Sequence, residues 1–564
     1  MDDVDAVQAQ IARNMLASGD WVTARLDGVA YLEKSPLVYW MMAASYRIFG
    51  VHDWAARLPL ALAAVLLCWV TFRIGRWSFG EEAGLYAGLS LATCAGLYLF
   101  TRIQIPDATL TLTIALAIWA CFRLLEPGES SPWQWSATLG VAVALGVLLK
   151  GLIAIVFPVL AVVAYMAVTR QLASLAAWKR LRLGLAIPLC LLIAAPWHVL
   201  ATLHNPPYFV FSMHSGPGDY RGFFWFYFFN EHLLRFLNLR YPRDYNTVPR
   251  PLFWALNLVW IFPWTAYLVA SARQSFSSAT RAGRVRLLAL CWIGAVMVFF
   301  TFSTTQEYYS MPIYPALALL VGSAMAEGGR WIAWATRVTA AMFLVVFAVL
   351  SALLISVWRI PAPGQMWTSL TQNPALYTLS LGHMADLTFK TFAYLKLPLG
   401  VAALAFGLGA AGLIIMRKNV KATALVLAGS MAIFFQASRL ALVRFENYLG
   451  SYPLAVALEQ NPPGQLIEAD AYYAFSSVFF YTNRTALLLD GRANNLEYGS
   501  HAPGAPQVFI DDSTFQSIWS SSHRAYLLTY GDDMKHWREL VGADNLHAVA
   551  ECGGNYLLTN RALR

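Results

Sequence analysis

Long apolar runs recur along most of this chain, and they constrain its fold more than any other feature. About twelve of them are long enough to cross the roughly 30 Å hydrocarbon core of a bilayer. They lie near residues 54–72, 83–100, 105–125, 134–150, 152–168, 184–203, 252–271, 287–303, 309–326, 334–357, 397–416 and 422–443. Charged residues make up only 13% of the chain, whereas soluble domains carry about a quarter. We therefore expect an α-helical polytopic membrane protein.

Arginine and lysine concentrate in alternate connections between these runs, and this asymmetry predicts the orientation of the spans. The basic connections contain Arg73, Arg76, Arg123, Arg170, Lys179, Arg180, Arg182, Arg273, Arg281, Arg284, Arg286, Arg330, Arg337, Arg417, Lys418 and Lys421. The positive-inside rule places them in the cytoplasm. The other connections and both ends of the chain are then periplasmic, in a bacterial inner membrane.

The apolar runs divide the chain into three parts. Residues 1–50 form a first periplasmic segment, in which apolar residues at helical spacing predict an amphipathic helix over 5–18. Residues 51–444 form the transmembrane domain. Residues 445–564 lack long apolar runs and contain short strand-like stretches, so we expect a periplasmic α/β domain there. The strand-like stretches are YYAFSSVFFY, TALLLD, APQVFI, RAYLLTY and NYLLTN, and the long periplasmic loops of the transmembrane domain are 204–250 and 358–395.

Side chains that bear chemistry gather on the predicted periplasmic side. They comprise carboxylates, cations and two further polar groups: Asp3, Asp5, Glu33, Asp107 and Glu231; Lys34, Lys150 and Arg235; His232 and Tyr309. A carboxylate can accept a proton from an acceptor, and cations can hold a phosphate at the lipid boundary. Each group also has a structural interpretation, as a helix cap, a snorkelling anchor or a member of an aromatic belt. Their common side favours lipid-phosphate chemistry.

Metal, disulfide and nucleic-acid partners are not indicated. The six cysteines are scattered without paired spacing or neighbouring histidines, so neither a zinc site nor a disulfide framework is expected. The net charge of +9 comes from arginine and lysine in short loops between spans, where these residues orient the segments. We expect no cofactor, no metal and no nucleic acid, and membrane lipids among the partners.

Several motifs, in chain order, resemble the GT-C superfamily of membrane glycosyltransferases. They read IARNMLASGDW and YLEKSPLVYW, IPDATLTL, LLKGLIAIVFP, FFNEHLLRF and EYYSMPIYPALALL. The resemblance covers roughly residues 3–330, and it is to the bacterial branch that contains the lipid A aminoarabinose transferase and relatives of the protein O-mannosyltransferases. It implies the GT-C fold, a polyprenyl-phosphate-linked sugar donor, an inverting transfer and no obligatory metal.

The same resemblance implies a catalytic aspartate in the first outer loop. Where the family commonly reads Asp-Glu-x-Arg-Tyr-Ala-Glu, this chain has Val4–Gln10, with only Asp5 among its acidic residues. The catalytic carboxylate is therefore Asp3 or Asp5, and Asp107 is a further candidate. Family members also carry a span before this loop, which would give thirteen spans, whereas this sequence starts at the loop.

The remaining site residues are assigned to the two substrates. The donor phosphate is expected to bind Lys34, Arg235, Lys150 and Tyr309, and the acceptor to contact Glu33, Glu231 and His232. The acceptor is lipid A or another lipid or glycan, and the alternative is a protein hydroxyl, as in the O-mannosyltransferases. A lipid-linked sugar transporter or flippase is an alternative of another class, because polar residues inside a membrane also mark transport pathways. Polar groups on one face, without internal repeats, favour the enzyme.

Overall fold

A computed structural model describes residues 1–243, 247–371 and 382–563 of the chain. The two internal gaps fall within the loops predicted at 204–250 and 358–395, so parts of those loops lie outside the described residues. Most of the described chain is helical, and a mixed sheet follows near its end.

The first segment contains a capped helix, a short hairpin and a second helix. The elements are α1 (Asp3–Ser18), β1 (Arg25–Leu26), β2 (Val29–Ala30) and α2 (Leu37–Phe49). Helix α1 begins where the Asp2 side chain accepts a hydrogen bond from the Asp5 amide at 2.9 Å, and it ends at Gly19, whose φ of 74° is left-handed. The helix predicted over 5–18 is therefore present.

The transmembrane part follows directly after the first segment. Its helices are α3 (Asp53–Phe79), α4 (Glu81–Ala92), α5 (Ala95–Phe100), α6 (Asp107–Leu125), α7 (Pro132–Lys150), α8 (Ile153–Val168), α9 (Leu175–Arg180), α10 (Leu183–His204), α11 (Gly222–Phe224), α12 (Arg250–Trp260), α13 (Tyr267–Ser271), α14 (Arg281–Thr301), α15 (Tyr314–Glu327), α16 (Arg330–Val357), α17 (Lys396–Met416) and α18 (Val420–Leu449). A π-helix covers Trp225–Leu234, and 3₁₀ turns cover Glu307–Ile313, Met366–Ser369, Gly382–Asp386 and Thr391–Leu395. The protein is a polytopic membrane protein, as expected from the apolar runs.

Nine helices in the described part of the chain are long and apolar enough to span a membrane. The other expected spans are short or broken. The run 152–168 becomes the 16-residue α8, 83–100 divides into α4 and α5, and 252–271 divides into α12 and α13. The two breaks face each other, because the Ala95 amide donates to the Phe262 carbonyl at 2.9 Å. Backbone groups freed inside a membrane need such partners, and Pro263, which lacks an amide hydrogen, favours the second break.

The last part of the chain is an α/β domain, as the short strand-like stretches predict, and it follows the end of α18 at Leu449. It contains α19 (Tyr452–Glu459), β3 (Gln465–Ala469), α20 (Ser476–Thr482), β4 (Leu487–Leu489), α21 (Asn494–Ser500), β5 (Phe509–Ile510), α22 (Asp512–Trp519), β6 (Ala525–Tyr530), α23 (Met534–Val541), β7 (His547–Cys552) and β8 (Asn555–Thr559), with 3₁₀ turns at Gly531–Asp533 and Ala543–Asn545. The sheet order is β5-β4-β3-β6-β8-β7. Strand β3 is parallel to β4 and β6, whereas β8 is antiparallel to β6 and β7.

The first segment and the α/β domain share one hydrophobic core. Buried residues of α1 and α2 pack with those of α19, α20 and the sheet. The amino group of Met1 donates to the Tyr481 hydroxyl at 2.8 Å, across almost the whole length of the chain. Helix α1 is therefore covered by protein along most of its surface.

Candidate active site

A cavity of about 300 Å³ lies where the first segment meets the transmembrane helices. One part of its wall is polar and the other is apolar. The polar residues are Glu33, Lys34, Ser35, Asp107, Lys150, Tyr227, Glu231, His232, Arg235, Ser303, Thr304 and Tyr309, and the apolar ones include Ile153, Val156, Phe157, Phe236, Phe299 and Phe300. All of the residues assigned to donor phosphate and acceptor from the sequence thus line one space.

Lys150 is held in the cavity wall by Asp107. Lys150 ends α7 and Asp107 begins α6, so two helix ends bring the side chains together. The ammonium group donates to both carboxylate oxygens, at 2.7 and 2.9 Å. It also lies 5.2 and 5.0 Å from the ring centroids of Tyr308 and Tyr309, a distance at which an aromatic face attracts a cation.

Arg235 connects the π-helix to the tyrosine turn. Its guanidinium contacts Glu231 at 3.2 Å and donates to the Tyr309 hydroxyl at 3.0 Å. Glu231 in turn accepts two hydrogen bonds from Arg240, both at 2.6 Å. Arg240 is buried, and no motif or spacing in the sequence distinguishes it from the other arginines of its loop.

Glu33 and Lys34 form an ion pair in the turn between β2 and α2. Burial raises the pKa of Glu33, but the charges of Lys34, Arg240 and Arg235 outweigh it and bring that pKa to about 2. Glu33 is therefore ionised at neutral pH. The turn is fixed from behind by Ser35, whose hydroxyl donates to the Val147 carbonyl at 3.0 Å and also contacts the Tyr227 hydroxyl.

The cations of the cavity wall are more exposed to its interior than the carboxylates that pair with them. The side chains of Lys34, Lys150 and Arg235 are 25%, 19% and 19% exposed, whereas their carboxylate partners Glu33, Asp107 and Glu231 are 6%, 4% and 4% exposed. The carboxylates thus lie behind the cations. A group that enters the cavity meets positive charge first, which favours a phosphate.

His232 joins two walls of the cavity through backbone groups. Its Nδ1 donates to the Tyr227 carbonyl at 2.5 Å, and its Nε2 accepts from the Leu152 amide at 3.2 Å. This pattern requires the neutral ring, and burial, with the charges of Arg235 and Lys34, lowers the pKa of His232. Both nitrogens are engaged by backbone groups, so the ring supports the turn after Lys150. The acceptor contact expected from the sequence stays a prediction.

Neither candidate base of the first loop lines the cavity. Asp3 accepts from the Ser477 amide at 2.7 Å and from the Ser451 hydroxyl at 3.1 Å. Asp5 pairs with Arg57 and accepts from the Gln104 amide at 2.6 Å. Among the carboxylates named as catalytic, the structure brings only Asp107 to the cavity. The difference arises because Asp3 faces the distant α/β domain, a contact that local spacing cannot reveal.

Comparisons with known proteins agree with this architecture. A family described as dolichyl-phosphate-mannose-protein mannosyltransferase matches residues 33–199. The structure is similar to that of ArnT from Cupriavidus metallidurans bound to undecaprenyl phosphate, with a TM-score of 0.77 and 22% identity over 99% of this chain and 94% of that one. The chain has the GT-C fold. The apo structure of the same ArnT gives a TM-score of 0.76, and the resemblance to the GT-C superfamily read from the motifs is confirmed.

Curated proteins that match this chain in sequence include arabinosyl transferases. The undecaprenyl phosphate-alpha-4-amino-4-deoxy-L-arabinose arabinosyl transferase of Aeromonas salmonicida is 28% identical over 330 residues, or 57% of this chain and 55% of the relative. Arabinosyl transferase 1 of Pseudomonas fluorescens is 31% identical over 329 residues, or 56% of this chain and 52% of the relative. The chain thus spans about half the length of the curated relatives that it matches.

Proposed function

We propose that this chain is an inverting glycosyltransferase that moves a sugar from polyprenyl phosphate to a phosphate-bearing lipid, with lipid A as the acceptor. The observation that carries the proposal is a single cavity with both a cationic and an apolar wall. Lys34, Lys150 and Arg235 offer charge to a phosphate, and the phenylalanines beside them suit an isoprenoid chain. The names of the curated relatives support 4-amino-4-deoxy-L-arabinose as the sugar.

The transfer breaks the bond between the anomeric carbon and the phosphate oxygen of the donor, and it forms a bond from that carbon to an acceptor oxygen. Polyprenyl phosphate leaves with the negative charge. Preorganised cations stabilise such a charge most strongly in a site that excludes water. Lys34, Lys150 and Arg235 hold the leaving phosphate, with the Tyr309 hydroxyl as a further donor.

The pairing of the carboxylates favours a phosphate acceptor over a protein hydroxyl. A hydroxyl must lose its proton to a base during the attack, whereas a phosphate oxygen is already ionised at neutral pH. Glu33, Asp107 and Glu231 each bind a cation. The charges of Lys34, Arg240 and Arg235 hold the pKa of Glu33 at about 2, so Glu33 is a weak base. The cavity therefore suits an anionic acceptor, such as a phosphate, whose ionised oxygen attacks without transfer of a proton to a base.

In this proposal, the end of the transmembrane domain that carries the candidate active site faces the periplasm. Arginines from different basic connections meet at the opposite end, where Arg123 and Arg281 both lie 4.7 Å from the ring centroid of Trp77. The positive-inside rule makes that end cytoplasmic. The α/β domain, which shares a core with the first segment, then lies in the periplasm.

A reconstitution experiment tests the reaction. Purified full-length protein in vesicles receives undecaprenyl phosphate linked to 4-amino-4-deoxy-L-arabinose, together with lipid A, dephosphorylated lipid A or a serine-rich peptide. Mass spectrometry is expected to show sugar on lipid A alone. Lys34→Gln should abolish most of the transfer, whereas the control Lys535→Gln, at an exposed side chain of the α/β domain, should not change it.

The other outcomes separate the alternatives. Equal transfer to dephosphorylated lipid A would refute the phosphate acceptor. Transfer to the peptide would support the O-mannosyltransferase-like activity instead. Movement of the donor across the vesicle without cleavage of the sugar bond would support a flippase and reject the enzyme.

A further inference from the structure

A second cavity, of about 620 Å³, lies on the surface of α13 and α16, away from the candidate active site. Its walls are mainly apolar, and Trp334, Val338 and Met342 form one of them. These residues are four apart on α16, so they form a stripe about 12 Å long. Trp334 and Met342 are exposed in the protein, as lipid-facing residues of a membrane helix are. The groove therefore has the shape and polarity for part of one acyl chain.

One end of the groove is basic. Arg273 lines it, and the Arg273 guanidinium lies 4.9 Å from the ring centroid of Trp331. Arg330 lies 5.5 Å from the same ring. Glu327, close by in sequence, pairs with Arg286 instead, and no carboxylate in the described ranges lies within ion-pair distance of Arg273 or Arg330. Two exposed guanidinium groups thus converge on one indole without an acidic partner.

We propose that this groove is a binding site for an anionic glycerophospholipid of the cytoplasmic leaflet. The lipid phosphate binds Arg273 and Arg330, because guanidinium groups recognise phosphate with paired hydrogen bonds. One acyl chain follows the stripe on α16. Basic pockets between transmembrane helices on the cytoplasmic side bind anionic lipid headgroups in this way.

The dimensions favour a glycerophospholipid over a polyprenyl phosphate. A groove of about 12 Å accommodates roughly half of a common acyl chain but only a small part of a 55-carbon isoprenoid. The groove also lies beside the broken span, since Thr265 and Ala266 of the segment between α12 and α13 belong to its wall. A bound lipid would therefore pack against the part of the transmembrane domain where helix α13 has only five residues.

Native mass spectrometry of the purified full chain in neutral detergent tests the site. Palmitoyl-oleoyl phosphatidylglycerol is titrated and the one-to-one complex is quantified, with phosphatidylcholine and undecaprenyl phosphate in parallel. We expect phosphatidylglycerol to bind more tightly than phosphatidylcholine, and we expect the binding of undecaprenyl phosphate, which the candidate active site accommodates, not to depend on the groove. An arginine near a lipid surface contributes about fivefold to binding, so Arg273→Gln with Arg330→Gln should weaken the phosphatidylglycerol complex by roughly 25-fold.

Two further variants make the result specific to the groove. Val338→Trp fills the stripe without a change of charge and should also weaken the complex. Arg73→Gln is the matched control, because Arg73 lies 5.1 Å from the Trp69 ring but lines neither cavity, and it should bind the lipid as the unchanged protein does. Equal binding of phosphatidylcholine, or an equal effect of Arg73→Gln, would overturn the proposal. Binding of undecaprenyl phosphate that falls with Arg273→Gln and Arg330→Gln as much as that of phosphatidylglycerol would also overturn it, because the polyprenyl lipid would then occupy the groove.

Discussion

Lys150 and Asp107 act as one unit in the cavity, because both carboxylate oxygens accept hydrogen bonds from the same ammonium group. If the only role of Asp107 is to position Lys150, removal of the Asp107 carboxylate lowers the rate of transfer no more than removal of Lys150 does. Removal of one preorganised donor lowers kcat by about 10²–10³. We expect about a 100-fold loss for Lys150→Gln, about tenfold for Asp107→Asn, and no further loss for the double variant.

Initial rates of sugar transfer for the two single variants and the double variant check this prediction. A base acts on a different atom from the phosphate ligand, so its loss would multiply with that of Lys150. A double variant about tenfold slower than Lys150→Gln would therefore make Asp107 the base rather than the partner of the lysine.

The Tyr309 hydroxyl offers a second test at the residue scale. It contacts Arg235 at 3.0 Å, and the ring is largely buried beside Lys150. A hydrogen bond to a charged group contributes roughly 1.5–3 kcal/mol, so Tyr309→Phe should slow transfer at limiting donor by at least about tenfold. The control Tyr208→Phe changes an exposed ring of the long loop. If the rate of Tyr309→Phe lay within a factor of about two of that of the unchanged protein, Tyr309 would be a structural residue of an aromatic belt and not a ligand of the donor phosphate.

The sequence was more informative about the cations of the site than about its carboxylates. Lys150 ends an apolar run, whereas Lys34 and Arg235 lie in segments outside the runs. The side of the membrane of all three follows from the span order alone. Asp3 and Asp5 lie on the same side, but their partners are separated from them by long stretches of chain. The order of spans along the chain determines on which side of the membrane a residue lies. The direction in which its side chain points depends on tertiary contacts, which the order of spans does not reveal.

At the scale of elements, the turn between α7 and α8 requires a glycine. Gly151 has a φ of 77°, and a Cβ there would lie 2.1 Å from His232 Nε2 and 2.7 Å from the Tyr227 hydroxyl. A side chain is thus excluded both by backbone conformation and by the π-helix. Gly151→Ala should lower the melting temperature by several degrees and slow transfer by at least about tenfold, because it displaces Lys150.

A glycine in open space provides the control for this change. Gly184 is the second residue of α10, and an added Cβ meets nothing within 4 Å, so Gly184→Ala should keep both melting temperature and rate. The two variants are compared by thermal unfolding in detergent and by initial rates. Equal behaviour of the two variants would show that the turn tolerates a side chain and would contradict the role of His232 as its support.

Elements with a strong local pattern could be predicted, and elements that depend on context could not. The stretches RAYLLTY and NYLLTN form β6 and β8 as expected, whereas YYAFSSVFFY contains α20 instead of a strand. Its aromatic residues suit either structure, and packing against α1 decides in favour of the helix. Strand β3 was missed because QLIEA is short and contains a buried acidic residue, Glu468.

Buried carboxylates mark the contact between the first segment and the α/β domain at the scale of the whole molecule. Asp3 of α1 and Asp27 of the hairpin both bond to backbone amides of the domain, those of Ser477 at 2.7 Å and Ala486 at 3.1 Å. The contact therefore links the two ends of the chain through acidic groups that have little access to water.

These carboxylates make the contact dependent on pH. Burial raises the pKa of Asp3 to about 7 and that of Asp27 to about 7, although hydrogen bonds to Ser477 and Ala486 oppose the rise. Burial also raises the pKa of Glu468 in the same core, with the charges of Asp27 and Asp3 adding to it. The ordinary pKa of an unfolded aspartate is about 3.9, so the folded state binds more protons than the unfolded state between about pH 4 and pH 7.

The stability that these groups contribute is complete below pH 4 and is lost as the pH rises through 7, because the folded state must then bury charge. We expect the first segment to dock more tightly at pH 5.5 than at pH 8. Hydrogen exchange of peptides from α1, corrected for the intrinsic pH dependence of exchange, should show stronger protection at pH 5.5. The double variant Asp3→Asn with Asp27→Asn removes both charges and keeps one acceptor oxygen at each position for the backbone amide. It should reduce that difference, while the exposed Asp544→Asn should not. Protection that increases towards pH 8 would mean that the carboxylates are stabilised as anions, and the interface would then depend on cations that pair with them.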